Sequence, residues 1–252
     1  MITAPSFDLT GKTALITGAG RGIGLAAAQA LAASGAAVTL AARTQSAIKA
    51  AADEMTAAGF KASYLVLDVM DQPKMASLIA ENGPFNILVN NAGTNIPEPF
   101  LEVSPENFST IFDLNVQAAF FVAQAVARGL VEAGQGGSII NMSSQMGHVG
   151  SPRRTVYCAS KHAMEGFTKA MAMELGVHAI RVNTIGPTFI ETPMTKPFFE
   201  DQAFKDSVLA KIQTGRIGQV EDVTGAVLYL ASDASQMVTG SALKVDGGWT
   251  IG

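Results

Sequence analysis

Thr13-Ala14-Leu15-Ile16-Thr17 runs without a break into Gly18-Ala19-Gly20-Arg21-Gly22-Ile23-Gly24, and an alanine-rich stretch continues to about Ser34. The apolar run shows no alternation, as expected of a strand covered on both faces. The glycines allow a tight turn and close backbone approach, and the alanines after them favour helix. Strand, glycine turn and helix in this order seat a dinucleotide pyrophosphate against a helix amino-terminus. The spacing is Gly18-x-x-x-Gly22-x-Gly24, so the context carries the reading more than the motif does.

Working outward, Val38 to Ala42 reads as a second strand, and its end should reach the adenosine ribose. A site for NAD often places a carboxylate there to hold the 2′-hydroxyl. This chain has Ala42 and then Arg43, and a guanidinium suits a 2′-phosphate. With Arg21 inside the glycine loop, the pair favours NADP over NAD. A helical stretch over 44–58 closes at Gly59, and a third strand over 62–67 ends at Asp68, which meets the adenine or caps a helix near Asp71. A fourth strand over 85–90 leads into Asn90-Asn91-Ala92-Gly93, where amides can satisfy backbone groups and Gly93 permits close approach.

Ser104-Pro105 starts a long helix with Asn115 near its middle. An amide among apolar residues needs a defined partner, which points to a structural role. A fifth strand over 138–142 ends at Ser143-Ser144, Gln145 to Gly150 form a loop, and Ser151-Pro152 read as the cap of the next helix. That helix carries Tyr157 and Lys161, four apart and therefore on one face. A phenol titrates near pH 10, and a neighbouring ammonium draws it down towards working pH. Tyr157 and a serine hydroxyl can converge on one carbonyl oxygen, although local chemistry does not separate Ser143 from Ser144.

A sixth strand over 180–185 ends at Gly186-Pro187, residues 188–213 lack a clean period and read as a mobile flap, a helix covers 220–231, and a last strand covers 242–245. Alternating strand and helix signals predict an α/β fold: a Rossmann-type doubly wound parallel sheet with helices on both faces. Residues 1–252 read as one domain, with 188–213 a substrate-binding flap.

Composition narrows the function. With 48% apolar and 15% charged residues, the chain can fill a core and is not disordered. Net charge is −4 with no basic tract, against a nucleic-acid partner. Cys158 is the only cysteine, so no intrachain disulfide forms and a reducing, cytoplasmic setting fits. Met1 to Thr10 lack the pattern of a signal peptide, no uninterrupted apolar run approaches a membrane span, and no metal site is expected.

These elements together resemble the short-chain dehydrogenase/reductase family, through Thr17 to Gly24, Asn90 to Gly93, Asn115, Ser144, and Tyr157 with Lys161 in that order and spacing. The resemblance implies about seven strands and a nicotinamide cofactor, and it selects Ser144 over Ser143. It also implies that Tyr157 is the general acid/base, that Ser144 holds the substrate oxygen, and that Lys161 binds the ribose and lowers the tyrosine pKa. Asn115 would anchor a proton-relaying water. Cofactor contacts are implied from Gly18, Arg21, Gly22, Ile23, Gly24, Arg43, Asp68, Val69, Asn91, Gly93, Tyr157, Lys161, Pro187, Ile190 and Thr192. Relatives usually have Pro-Gly after the sixth strand, where this chain has Pro187-Thr188. A homotetramer, assembled through the helices bearing Asn115 and Tyr157, is also implied.

The expected activity is NADP(H)-dependent interconversion of a secondary alcohol and a ketone. Gln145, His148, Arg153 and Arg154 border the reacting carbon, with Thr94, Asn95 and Glu98 on the lip before Pro99. They favour a small polar substrate (a polyol, sugar or sugar acid) over the long acyl chain of a 3-oxoacyl-thioester reductase. Phe189, Phe198, Phe199 and Phe204 form an apolar cover in the competing reading. A non-catalytic nucleotide sensor is the alternative from another class. A sugar-nucleotide epimerase would need a further carboxyl-terminal domain.

Overall fold

In a computed structural model that describes residues 4–251, seven parallel strands form one sheet in the order β3-β2-β1-β4-β5-β6-β7. They are β1 Thr13–Thr17, β2 Ala37–Ala42, β3 Ala62–Val66, β4 Ile87–Asn90, β5 Gly137–Met142, β6 Ile180–Pro187 and β7 Ala242–Val245. The first residues of the stretch read for a leader, Met1 to Thr3, lie outside the described residues. The order reverses between β1 and β4, so their carboxyl ends open a crevice, the usual ligand position in such sheets.

Period-two side-chain alternation divides the core. Ile16, Leu40 and Val89 face one side, against α1 (Gly22–Ala33), α2 (Gln45–Ala57) and α8 (Val220–Ala231). Leu15, Leu88 and Ile139 face the other, against α3 (Gln72–Asn82), α5 (Ala119–Glu132) and α6 (Thr155–Leu175). Each fully buried Leu or Ile contributes about 1.5–3 kcal/mol, so slipping a strand by one residue would forfeit several such terms. Edge strand β3 leaves Tyr64 and Val66 exposed because nothing pairs beyond it.

Three expectations are corrected. The long helix from Ser104 is not uniform: α4 (Pro105–Phe112) passes through a π-helical segment, Asp113–Ala118, before α5. A wider turn there brings the Asn115 side chain onto backbone groups outside the helix. The continuous 28-residue stretch Pro105–Glu132 is also long and apolar enough to cross a bilayer by length and composition. Counting uninterrupted apolar residues missed it, because polar positions such as Asn115 and Gln124 interrupt the run; its inward stripe packs on the sheet as a core helix.

Second, Ser151-Pro152 do not cap α6. Arg153 adopts φ +61°, a left-handed conformation that a right-handed helix cannot include, and Arg154 becomes the amino-cap without a side-chain cap bond. Third, 188–213 is not structureless. It holds a 3-10 turn, Lys196–Glu200, and α7 (Gln202–Leu209), and Phe189, Phe199 and Phe204 join Val208, Ile212 and Trp249 in a small core of their own.

Candidate active site

The carboxyl ends of β1, β4, β5 and β6 place nearly all the expected residues together. After β1, Gly18 and Gly22 take φ of +66° and +58°, which a side chain rarely adopts. At Gly24 a Cβ would lie 2.5 Å from Asn91 Nδ2 and 2.6 Å from the Gly18 carbonyl oxygen, so helix and loop meet only because no side chain intervenes. Asn91 locks the turn from β4, donating from Nδ2 to the Thr17 carbonyl at 3.0 Å, while its backbone N–H donates to Thr17 Oγ1 at 3.0 Å. Such a cradle has the shape a pyrophosphate requires.

The Ala19 N–H donates to the Ala41 carbonyl at 3.2 Å, drawing the glycine loop to the end of β2. Arg21 and Arg43 thus emerge, both exposed, at one corner of the crevice. Asp68 follows β3 and accepts from the Met70 N–H at 3.0 Å, while the helix cap beyond it is Asp71. Val69 is buried beside it. At the opposite end Pro187 closes β6, Ile190 is buried, and the Thr192 methyl comes within 3.4 Å of where a Cβ on Gly22 would stand. The flap therefore touches the glycine loop despite the Pro187-Thr188 departure.

Polar residues hold the crevice floor. Asn115 is buried, accepting at Oδ1 from the Thr94 N–H (2.8 Å) and donating to the Thr94 carbonyl (2.9 Å) and Ser160 Oγ (3.2 Å). Asn115 thereby staples the lip to α6, and Gly93 leaves room for it. Asn90 donates to Asn141 Oδ1 and the Ala119 carbonyl, an internal network that no sequence motif announced beyond the asparagine itself.

Ser144, at the end of β5, is buried; its hydroxyl donates to Gln145 Oε1 at 2.7 Å and accepts the Met146 N–H at 3.1 Å. Ser143 is equally buried, but its hydroxyl has no hydrogen-bond partner among the described residues. Tyr157 is half-buried on α6, and burial pushes its phenol above the usual value; Ser144 and the Arg154 cation pull it back. Lys161 is buried one turn further on, donates to the Met142 carbonyl at 2.8 Å, and lies 5.6 Å from the Tyr157 ring centre. Burial lowers the Lys161 ammonium to about 8, with Glu165 opposing. The Arg154 cation favours the phenolate of Tyr157, and desolvation outweighs it.

Of the polar loop, Gln145 is committed to Ser144, and His148 Nε2 stands 3.5 Å from Glu165 Oε1. Arg153 is exposed, with its carbonyl accepting from the Glu98 N–H, whereas Arg154 is buried. A cavity of about 370 Å³ bordered by Lys12, Asn86 and Gln135 lies at the amino ends of the strands, the wrong edge for this chemistry.

Fold and site define a dinucleotide-dependent oxidoreductase. A family model described as "Enoyl-(Acyl carrier protein) reductase" matches residues 18–250. The chain is 40% identical over 241 residues to L-xylulose reductase of Bos taurus, spanning 96% of this chain and 97% of that one. It is 40% identical over 249 residues to gluconate 5-dehydrogenase of Gluconobacter oxydans (strain 621H), spanning 97% of each. The crystal structure of a gluconate 5-dehydrogenase from Burkholderia cenocepacia J2315, in complex with NADP and tartrate, superposes with a TM-score of 0.94 at 37% identity and 98% coverage of both chains. The chain belongs to the short-chain dehydrogenase/reductase family and is an NAD(P)-dependent oxidoreductase acting between alcohol and ketone.

Proposed function

We propose that this protein uses NADP(H) to interconvert a secondary alcohol and a ketone in a small polyol, sugar or sugar acid. The observation that carries it is the meeting of Tyr157 with buried Ser144 and Lys161 at the carboxyl edge of the sheet, beside the glycine cradle. The names of its relatives, two acting on sugar acids and one on a ketose, point the same way.

Gly18, Gly22 and Gly24 would hold the pyrophosphate, and Ile23 would offer its N–H in the first turn of α1. Arg21 and Arg43 would take the 2′-phosphate, Asp68 and Val69 the adenine, Asn91 and Gly93 the adjoining ribose. Pro187, Ile190 and Thr192 would border the nicotinamide. When bound, NADPH supplies the hydride. The Ser144 hydroxyl turns from Gln145 to donate to the ketone oxygen, and Tyr157 delivers the proton to it. Lys161 binds the cofactor ribose, and Asn115 keeps its helix turn open for a water that returns protons to Lys161. Residues 1–252 act as one cytoplasmic domain, with 188–213 folding over the substrate.

Helices α4, α5 and α6 carry Phe108, Phe120 and Phe167, the first two exposed and the last two in edge contact at 5.9 Å. This apolar face supports assembly as a homotetramer, which sedimentation will test. The function itself is tested by kcat/KM with NADPH and NADP⁺ across polyols, ketoses, aldonates and 3-oxoacyl thioesters. Polar substrates should win by at least tenfold; a tenfold preference for acyl thioesters refutes the reading. The separate packing of Phe189, Phe199 and Phe204 favours the polar class, since those rings are spent on one another.

A further inference from the structure

Arg154 is a charged group at the site that the proposed reaction leaves unused. Only 6% of it is exposed, yet its Nη1 has no hydrogen-bond partner among the described residues. None of the ion pairs formed by those residues includes it. A buried guanidinium without a counter-charge is costly, and a fold that keeps one usually has an anion to place there.

The surroundings say where that anion sits. Arg154 is the amino-cap of α6, three residues before Tyr157 and therefore on the same side of the helix. Its guanidinium lies 5.4 Å from the centre of the Phe198 ring and 6.0 Å from that of Phe189. Aromatic faces occupy the flat side of a guanidinium and leave its N–H edge for a planar acceptor. The first turn of this 21-residue helix has no side-chain cap and no acidic residue, so its own N–H groups add to the positive field. On the lip, Asn95 Oδ1 is likewise buried without a partner among the described residues, next in the chain to Thr94, which Asn115 links to Ser160 of α6. The guanidinium of Arg154 thus lies one helical turn from Tyr157, and Asn95 has a spare amide oxygen on the lip that Asn115 ties to Ser160 of α6.

Resting on the oxidoreductase reading above, we infer that the substrate is a hydroxy acid whose carboxylate docks on Arg154, one helical turn from the carbon that reacts at Tyr157, while Asn95 receives one of its hydroxyls. The class is then the aldonates and their keto forms rather than neutral polyols and ketoses. Adjacent Arg153, turned outward by its left-handed backbone, takes no part.

The test uses matched pairs, five- and six-carbon aldonates against the alditols that carry a CH₂OH in place of the carboxylate, each with NADP⁺ and the full chain. Wild-type kcat/KM should favour the aldonate by at least tenfold. Arg154→Met should raise the aldonate KM at least tenfold and lower aldonate kcat/KM at least tenfold more than alditol kcat/KM, because any loss passed through the Tyr157 phenol is common to both substrates. Arg154→Lys, which keeps the charge and loses the fork, should restore part of the affinity and serves if the Met variant folds poorly. Equal use of both classes, with the variant affecting them alike, would overturn the inference and leave the oxidoreductase reading intact. A variant altered in oligomeric state but not in substrate discrimination would assign Arg154 to a subunit contact and overturn it too. Turnover confined to 3-oxoacyl thioesters would overturn the inference together with the polar-substrate reading, and leave only the oxidoreductase activity standing.

Discussion

The two halves of the crevice are built by different means. On the β1 side, backbone does the work: positive φ at Gly18 and Gly22, and the missing Cβ at Gly24, shape a cradle in which side chains are mostly excluded. On the α6 side, beyond the left-handed Arg153 that starts the helix, the geometry rests on which way the side chains of Ser144, Arg154, Tyr157 and Lys161 point. A site whose geometry is set by glycines tolerates change at its surface and none in its loop. A site set by side chains should lose chemistry while its fold survives.

Tyr157→Phe is the sharpest break of that kind. Deleting one hydroxyl should lower kcat by about 10²–10⁴-fold, the usual worth of general acid–base catalysis, while cofactor affinity stays within a few-fold. Fluorescence titration with NADPH beside steady-state assays will check it. Substantial turnover by the purified variant removes Tyr157 from proton transfer.

Gly24→Ala attacks the other half. The new methyl meets the Asn91 amide at 2.5 Å and the Gly18 carbonyl oxygen at 2.6 Å, well inside ordinary contact, and neither is a free side-chain end. Overpacking of this sort costs roughly 1–3 kcal/mol, and the cofactor Kd should rise at least tenfold. Gly150→Ala is the control, since nothing lies within 4 Å of its added Cβ, and it should move stability by no more than about 0.5 kcal/mol. Equal effects at the two positions would mean that the glycine loop is not a steric cradle.

The same contrast explains what could be read from the sequence. Strand and helix limits were legible because both faces of the sheet are buried, and β7 and α8 fall where periodicity and turn residues put them. Glycine spacing gave the cradle. The π-helical turn at Asn115 was not legible, because no residue type marks it; only the oddity of an amide in an apolar helix hinted at a constraint. Arg153 and Arg154 are identical in the sequence and opposite in the fold, since one left-handed φ decides which of them faces in. The start of α6 was misplaced for the same reason: Ser151-Pro152 is a good capping signal, and a single strained residue overrode it. The tuning of Tyr157 by Arg154 depends on burial, which spacing along a helix does not report.

Cofactor choice tests whether the cradle half also relies on side chains at its outer corner. Ala42→Asp with Arg43→Ala replaces attraction for a 2′-phosphate by repulsion. One charge-assisted contact supplies about 1.5–3 kcal/mol, so NADP(H) should lead NAD(H) at least tenfold in the native protein and trail it in the double variant. Native kcat/KM equal or better with NADH would show that Arg21 and Arg43 face elsewhere.

The smallest effect is expected behind Lys161. Burial holds its ammonium near 8, and Glu165, one turn along α6, is the group opposing that fall. Glu165 is itself buried, accepting from Thr184 Oγ1 at 2.9 Å and facing His148. In the direction of ketone reduction Tyr157 must carry its proton, and burial, by raising its pKa, favours the protonated phenol. Activity is therefore expected to fall above neutrality as Lys161 gives up its charge, with pH rising through about 8. Glu165→Gln removes the anion that supports that charge while preserving shape and the Thr184 contact. The folded-state pKa of Lys161 must then fall further, and the alkaline limb of kcat must move to lower pH. Near pH 6, where the ammonium persists in both proteins, rates should agree within about threefold, because the catalytic hydroxyls are untouched. A pH profile from 6 to 10 measures the displacement, with Thr184→Val as a variant that breaks the hydrogen bond but keeps the carboxylate. Were the limb to stay in place in Glu165→Gln, or to move equally in Thr184→Val, Glu165 would be a packing element and the charge on Lys161 would be sustained by another group.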